Sequence, residues 1–170
     1  MIGSVSFITD RIAIGDVASR ANREFVATVS VLATERPGIM WDEQRDAPPI
    51  GASAQLVIDL ADGESRELGV AHDRSGAAHE PHDLEDFLDE IVAFIAKHVA
   101  LGCVLISCGA GKSRSVTIAT IFFCRFAGMS WSEASALIAS AIPDAAPADP
   151  LRRSAERWLN LTALTAGGPR

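Results

Sequence analysis

The sequence VLISCGAGKSRS, at positions 104–115, is the most informative stretch of this chain. It begins within a short apolar run (103–106) that predicts a buried strand, and it ends where an apolar segment (115–127) predicts a helix. The turn between the two contains two glycines. A strand that passes into a helix through such a turn delivers its last residue, Cys108, to the carboxyl edge of an α/β sheet, where ligands bind.

The turn has the composition of an anion site built around a cysteine. Because of its glycines, the backbone of 109–114 can curl so that its N–H groups point toward an anion at the start of the helix. Arg114 adds a planar guanidinium that takes two phosphate oxygens at once. The same positive groups favour the thiolate of Cys108, which is the attacking form of cysteine. We therefore predict Cys108 as a nucleophile and Ser115 as a hydroxyl that hydrogen-bonds its sulfur. The predicted phosphate-binding residues are Gly109, Ala110, Gly111, Lys112, Ser113 and Arg114.

Two other interpretations of this stretch compete. A cysteine at the end of an apolar strand is often only a small buried hydrophobe. The run Gly111-Lys112-Ser113 also matches the end of a nucleotide-binding Walker A loop. That loop requires glycine at position 106, where this chain has Ile106, so the spacing excludes it.

Outside this stretch, strands and helices are predicted to alternate. Apolar and β-branched runs predict strands at 5–8, 12–14, 28–33 and 55–60. Apolar residues at helical spacing predict helices at 16–27 and 84–99, and another that contains Leu151. Ser130 and Glu133 form a capping box for a helix that ends at Ala141. Segments 34–54 and 63–82 are predicted to be irregular.

This order of elements predicts an α/β fold in one domain spanning 1–166. The domain is expected to contain a central, mostly parallel, four- to five-stranded sheet flanked by helices. Residues 167–170 are expected to be a frayed tail.

The composition narrows the function. The chain has 170 residues, 48% of them apolar and 22% charged, and a formal net charge of −7. No nucleic-acid partner is expected, because such a partner requires a basic face. The three cysteines, at 103, 108 and 124, form no disulfide framework. The four histidines, at 72, 79, 82 and 98, lack metal-ligand spacing.

No export or membrane segment is predicted. The first residues lack the basic region and apolar core of a signal peptide. The most apolar stretch, 116–127, is interrupted by Arg125 and is too short to cross a bilayer, so no stable membrane insertion is expected. We expect a cytoplasmic protein, whose reducing surroundings keep a reactive thiol usable.

The segment Cys108–Ser115 resembles the signature of the dual-specificity branch of the cysteine-dependent protein tyrosine phosphatase superfamily. That signature is His-Cys, five residues, Arg, and Ser or Thr, often with Ala-Gly at the third and fourth loop positions and Ser before Arg. The sequence CGAGKSRS matches each of these positions from the cysteine onward. Segment 7–16 resembles the opening hairpin of the family, and 145–151 resembles its closing proline-marked segment.

The resemblance implies a two-step phosphomonoesterase with a cysteinyl-phosphate intermediate and no metal or other cofactor. It also implies an aspartate, on a loop after a strand, that protonates the leaving group. Asp62 fits this role best because strand 55–60 leads into it, and Asp73 is the alternative, after the apolar run 68–71. Asp59 is expected to be structural. The chain contains no tyrosine to wall a deep phosphotyrosine pocket, which favours the shallower dual-specificity class.

The resemblance leaves the substrate open and shows one departure. The expected substrate is a phosphorylated protein or another phosphomonoester. Lys112 matches relatives that act on inositol lipids and bind a second phosphate, so a phosphoinositide or small-molecule phosphatase is an alternative. Ser107 stands where the family usually has His, a residue that helps to keep the thiol acidic. A weakly active module that binds phosphate is therefore a further alternative.

Overall fold

The computed structural model describes residues 4–21, 25–32, 54–60, 68–71 and 82–166. The strands are β1 (Val5–Phe7), β2 (Ile12–Gly15), β3 (Ala27–Leu32), β4 (Ala54–Leu60), β5 (Leu68–Ala71), β6 (His82–Asp83) and β7 (Val104–Cys108). A 3₁₀ helix covers Val17–Ala21, and the α-helices are α1 (Leu84–Val99), α2 (Arg114–Phe126), α3 (Trp131–Ala141) and α4 (Asp149–Ala166).

The strands form one sheet in the order β1-β2-β7-β3-β4-β5-β6. The four central strands, β2, β7, β3 and β4, are parallel, so their carboxyl ends meet at one edge of the sheet. The outer strands β1, β5 and β6 pair antiparallel with their neighbours. Every residue of β7 is buried, because this strand lies in the middle of the sheet.

Helices cover the face of the sheet that carries the larger apolar core. On this face Val29, Val31 and Ile106 pack in one buried cluster with residues of all four α-helices. Helix α2 lies at its centre, in contact with β7 and with α1, α3 and α4. Neighbouring residues of a strand point to opposite faces, and Leu105 accordingly belongs to a separate, smaller cluster with Ala13 and Phe25. Strand β7 and helix α2, which follows it in the chain, are thus packed against neighbours on several sides.

The predicted α/β class is confirmed, and most elements lie within one or two residues of their predicted bounds. The capping box of α3 is also present: the Glu133 amide donates to Ser130 Oγ at 3.3 Å, and the Ser130 amide donates to Glu133 Oε2 at 2.8 Å. The sheet has more strands than the four to five predicted, since β5 and β6 extend it beyond β4 at one edge. These strands are short, so they carry little periodic signal.

Two local predictions are wrong. The helix predicted at 16–27 is a 3₁₀ helix at Val17–Ala21, and Ala27 instead begins β3, where it pairs with both Ala54 and Val104. The backbone pairing of β3 between two neighbours outweighs the helical spacing of a few apolar side chains. Segment 63–82, predicted to be irregular, contains β5 and the start of β6. The predicted tail, 167–170, lies outside the described residues.

Candidate active site

Cys108 is the last residue of β7, one of the four parallel strands. Its parallel neighbours place Val31 of β3 beside it, and they place Gly15 of β2 beside Ser107. The side chain of Cys108 is only 3% exposed. The strand therefore fixes the sulfur at the carboxyl edge of the sheet, at the bottom of the loop that follows.

The loop 109–113 wraps its backbone around the sulfur. The backbone amides of Gly111, Ser113 and Ser115 hydrogen-bond to Cys108 Sγ. The hydroxyl of Ser115, in the first turn of α2, lies 3.2 Å from the same sulfur. A ring of donors converging on one atom is the arrangement that stabilises an anion there.

These donors decide the ionisation of the thiol. Burial alone raises the pKa of Cys108, but the hydroxyl of Ser115 and the amides of Ser115, Ser113 and Gly111 together outweigh it, so the net pKa is lowered. A lowered pKa increases the fraction of thiolate at neutral pH, and the thiolate is the nucleophile. The loop thus supplies the electrostatic condition for a reactive cysteine.

The curl of the loop depends on Gly111. Its φ of +69° lies in the left-handed region that side chains disfavour. A Cβ at this position would also lie 3.0 Å from the carbonyl carbon and oxygen of Gly15 and 3.3 Å from the Asp16 nitrogen. The loop is therefore packed directly on the end of β2, and any side chain at Gly111 would push it away.

The connection between α3 and α4 supports the loop from another side. The Ala146 amide donates to the Lys112 carbonyl at 2.9 Å, and the Ala148 amide donates to Ser113 Oγ at 3.1 Å. Lys112 Nζ lies 3.3 Å from the Asp144 carboxylate. These contacts fix the two residues that precede Arg114.

Arg114 is the first residue of α2, and its guanidinium lies over the loop. Its Nη2 lies 3.3 Å from the position that a Cβ on Gly109 would occupy, and its Nε and Nη1 are buried from solvent. A guanidinium held beside inward amides is suited to two oxygens of a tetrahedral anion. The arrangement can hold a phosphate directly in front of the Cys108 sulfur.

Comparison with known proteins identifies the fold. No protein-family model and no curated protein matches the sequence. Among solved structures, human DUSP28 superimposes with a TM-score of 0.70 and 18% identity, covering 94% of this chain and 95% of its own. This chain has the dual-specificity phosphatase fold. The predicted fold-level resemblance is thereby confirmed.

Other proteins with this fold are named for different properties. The human tyrosine phosphatase-like serine/threonine/tyrosine-interacting protein matches with a TM-score of 0.69 at 15% identity over 94% of this chain and 97% of its own. PTPMT1 matches with a TM-score of 0.65 at 15% identity over 98% of this chain and 100% of its own, and it has also been solved in complex with PI(5)P. The fold therefore leaves the activity and the substrate to be argued from the site.

Ser107 occupies a buried position on the face of the sheet opposite to Cys108. It is 1% exposed, and its hydroxyl lies 3.4 Å from the hydroxyl of Ser30, its partner on β3. This is a long, weak contact between two neutral groups. The donors that lower the pKa of Cys108 come from the loop and from α2, and Ser107 is not among them.

Both candidate general acids, Asp62 and Asp73, lie outside the described residues, but the strands that precede them are described. β4 runs parallel to β7 and reaches the carboxyl edge at Leu60. β5 begins at that edge, where Gly69 pairs with Leu60, and runs away from it toward Ala71. The two aspartates therefore follow strands of opposite direction.

Two further findings concern metal ions and membranes. Within the described ranges, no group of three or more His, Cys, Asp or Glu side chains is placed to hold a metal ion. In the same part of the chain, no helix has the length and apolarity needed to cross a bilayer.

Sequence reasoning did not identify the supports of the loop. Gly15, Asp144 and Ala148 touch it from segments distant along the chain. For Ala148 the only signal was the resemblance of 145–151 to a closing segment of the family. For Asp144 there was none, because an exposed acidic residue in a loop is common on any protein.

Proposed function

We propose that this protein is a phosphomonoester hydrolase of the cysteine-dependent protein tyrosine and dual-specificity phosphatase class, with phosphorylated protein as its expected substrate. One observation carries the proposal: three backbone amides and the Ser115 hydroxyl converge on the buried sulfur of Cys108. Burying several polar groups beside one sulfur costs desolvation free energy. A cysteine that only fills space in a core does not require such an arrangement. The signature from Cys108 to Ser115 and the shared fold support the same class.

In the first step, the Cys108 thiolate attacks phosphorus in line with the ester oxygen. A P–S bond forms and the P–O bond to the leaving group breaks. The amides of the loop and the guanidinium of Arg114 stabilise the charge on the equatorial oxygens. No metal is required in this scheme, since these groups supply the positive charge.

The leaving oxygen needs a proton, which we assign to Asp62. Leu60, two residues before it, lies at the edge of the sheet where Cys108 also lies, because β4 and β7 are parallel to β3. Asp73 follows β5, which runs away from this edge. The direction of the strands therefore favours Asp62 over Asp73.

In the second step, water attacks phosphorus and the P–S bond breaks. The carboxylate of Asp62 accepts the proton of the water, and inorganic phosphate is released. The departing sulfur becomes a thiolate again. Its negative charge is stabilised by the hydroxyl of Ser115, 3.2 Å away, and by the same amides that activated it.

The test is hydrolysis of para-nitrophenyl phosphate by the purified chain. Cys108→Ser is expected to abolish turnover while vanadate binding is retained, because the amides and Arg114 remain. Cys124→Ser is the matched control, since Cys124 is a half-buried cysteine in the last turns of α2. Full activity in Cys108→Ser, or an equal loss in Cys124→Ser, would refute the assignment of the nucleophile.

Ser107 favours a second candidate, a module that binds phosphorylated partners and hydrolyses them poorly. The Ser107 hydroxyl contacts Ser30 at 3.4 Å and is not among the donors that lower the pKa of Cys108, whereas the histidine usual in the family at this position helps to keep the thiol acidic. One protein with this fold is described as phosphatase-like and as an interacting protein. If the wild-type chain binds vanadate but releases no phosphate from para-nitrophenyl phosphate, this second function replaces the first.

A further inference from the structure

An ion pair lies on the rim of the loop and has no part in the proposed chemistry. Lys112 Nζ and Asp144 Oδ2 are 3.3 Å apart, with side chains 54% and 78% exposed. The backbone of Lys112 is tied to the connection that carries Asp144, because the Lys112 carbonyl accepts from the amide of Ala146, two residues after Asp144. This backbone hydrogen bond keeps the two partners of the pair close to each other.

The pair changes the charge that the loop offers to a substrate. Lys112 is one of the predicted phosphate-binding residues, and its side chain is 54% exposed, so its ammonium can meet a substrate at the loop. Asp144 offsets this charge with a carboxylate. A substrate with a second anionic group near its scissile phosphate would meet a neutralised lysine and an exposed carboxylate in place of a free cation.

We propose that Asp144 is a specificity-determining residue that selects against a second phosphate on the substrate. The carboxylate of Asp144 pairs with the ammonium of Lys112, so that this cation does not bind the second phosphate, and it also repels the added negative charge. The inference rests on the proposed function and specifies its substrate class: phosphomonoesters with no other phosphate next to the one removed. The chemistry is the same whether the second phosphate belongs to a peptide or to an inositol ring.

The expected size of the effect follows from the exposure of the pair. Ion pairs at a surface are screened by solvent and contribute little, so the discrimination is moderate. We expect removal of the Asp144 charge to raise the preference for a doubly phosphorylated substrate by about twofold to fivefold. Because the interaction is between charges, the effect should shrink at high salt.

The experiment compares kcat/KM for two peptides, one with a single phosphotyrosine and one with an additional phosphothreonine two residues before it. A second pair, an inositol monophosphate and the corresponding bisphosphate, shows whether the discrimination extends to ring phosphates. Asp144→Asn should raise the ratio of doubly to singly phosphorylated turnover, and this ratio is independent of any change in overall activity that the two substrates share. In a Lys112→Met background, the same Asp144 substitution should raise the ratio less, since only the repulsive part remains.

The matched control is Asp10→Asn. Asp10 is also an exposed carboxylate in an ion pair, 3.6 Å from Arg11, and its removal changes the net charge equally. It precedes β2, at the edge of the sheet opposite to Cys108. An unchanged ratio in Asp144→Asn, or an equal rise in Asp10→Asn, would overturn the proposal.

A failure of this proposal is distinguishable from a failure of the proposed function. If the wild-type chain does not hydrolyse para-nitrophenyl phosphate, the enzymatic function fails. Calorimetry with inorganic phosphate and pyrophosphate then still tests Asp144. The proposal predicts that Asp144→Asn strengthens pyrophosphate binding relative to phosphate by the same factor, and an unchanged relative affinity would refute it.

Discussion

Two cysteines lie near opposite ends of α2, and their pKa values are shifted in opposite directions. Cys108 immediately precedes the loop that leads into the helix, and Cys124 lies in its last turns. Burial raises the pKa of Cys124, with no other cause acting on it. Burial also raises the pKa of Cys108, yet the amides and the Ser115 hydroxyl reverse the direction. The opposite pKa shifts of the two thiols therefore come from the donors that point at the sulfur of Cys108, and not from burial, which acts on both.

The direction of the helix adds to this difference. The unpaired N–H groups at a helix N-terminus favour an anion, and the carbonyl groups at the C-terminus disfavour one. Cys108 lies near the first kind of end and Cys124 near the second. The proposed nucleophile and a control cysteine thus lie near opposite ends of one helix.

The largest effect is expected from removing the guanidinium at the N-terminal end. Arg114→Ala should lower kcat/KM for para-nitrophenyl phosphate by about a thousandfold and weaken vanadate binding, because the equatorial oxygens lose their cation. Arg125→Ala removes an exposed arginine from the last turn of the same helix and should leave both unchanged. Equal losses in the two variants would show that the helix, and not its N-terminal site, had been damaged.

A smaller and selective effect is expected from the general acid. Asp62→Ala should slow hydrolysis of alkyl phosphates and phosphoserine peptides by about a hundredfold, because their leaving groups need a proton. Para-nitrophenyl phosphate has a good leaving group, so its rate of hydrolysis should fall much less. Asp73→Ala is the companion variant, and a leaving-group-dependent loss there would transfer the role to Asp73.

The smallest effect is expected from Ser115. Ser115→Ala removes one donor from the sulfur, which should raise the thiol pKa and slow turnover about tenfold below neutral pH. The loss should diminish as the pH rises, because the thiolate then forms without help. Thr120→Val removes another buried hydroxyl of α2, one that donates to the Val116 carbonyl, and should not alter the pH profile. A uniform loss at every pH in Ser115→Ala would show that the hydroxyl does not lower the thiol pKa and acts only on the departing thiolate of the second step.

The same two regions show what sequence alone can predict. Cys108, Gly111 and Arg114 are consecutive parts of one local motif, so their spacing predicts the loop without knowledge of the rest. The helix at 84–99 is equally local, because its apolar residues repeat along one face. The overall α/β class follows from the order of such elements.

The supports of the site are not local and escaped prediction. The contact between Gly111 and Gly15 exists only because β2 and β7 pair in parallel. The contact of Lys112 with Asp144 depends on how the connection between α3 and α4 passes the loop. The prediction of a helix at 16–27 is wrong for the same reason. Ala27 pairs with two neighbouring strands, so it belongs to β3 and not to a helix. The direction of β4 and β5, which separates Asp62 from Asp73, likewise appears only in the assembled sheet.

The central claim is that the loop makes the sulfur of Cys108 an anion, and residue-resolved alkylation tests it most directly. The folded protein is treated with iodoacetamide over a range of pH, and modification of each cysteine is followed by mass spectrometry. Cys108 should reach half of its maximal rate at a lower pH than Cys124 and at a lower pH than Cys108 in the unfolded chain, and vanadate should protect it. If Cys108 instead reacts only at a pH equal to or above that of Cys124, the loop does not activate it, and the proposed chemistry is contradicted.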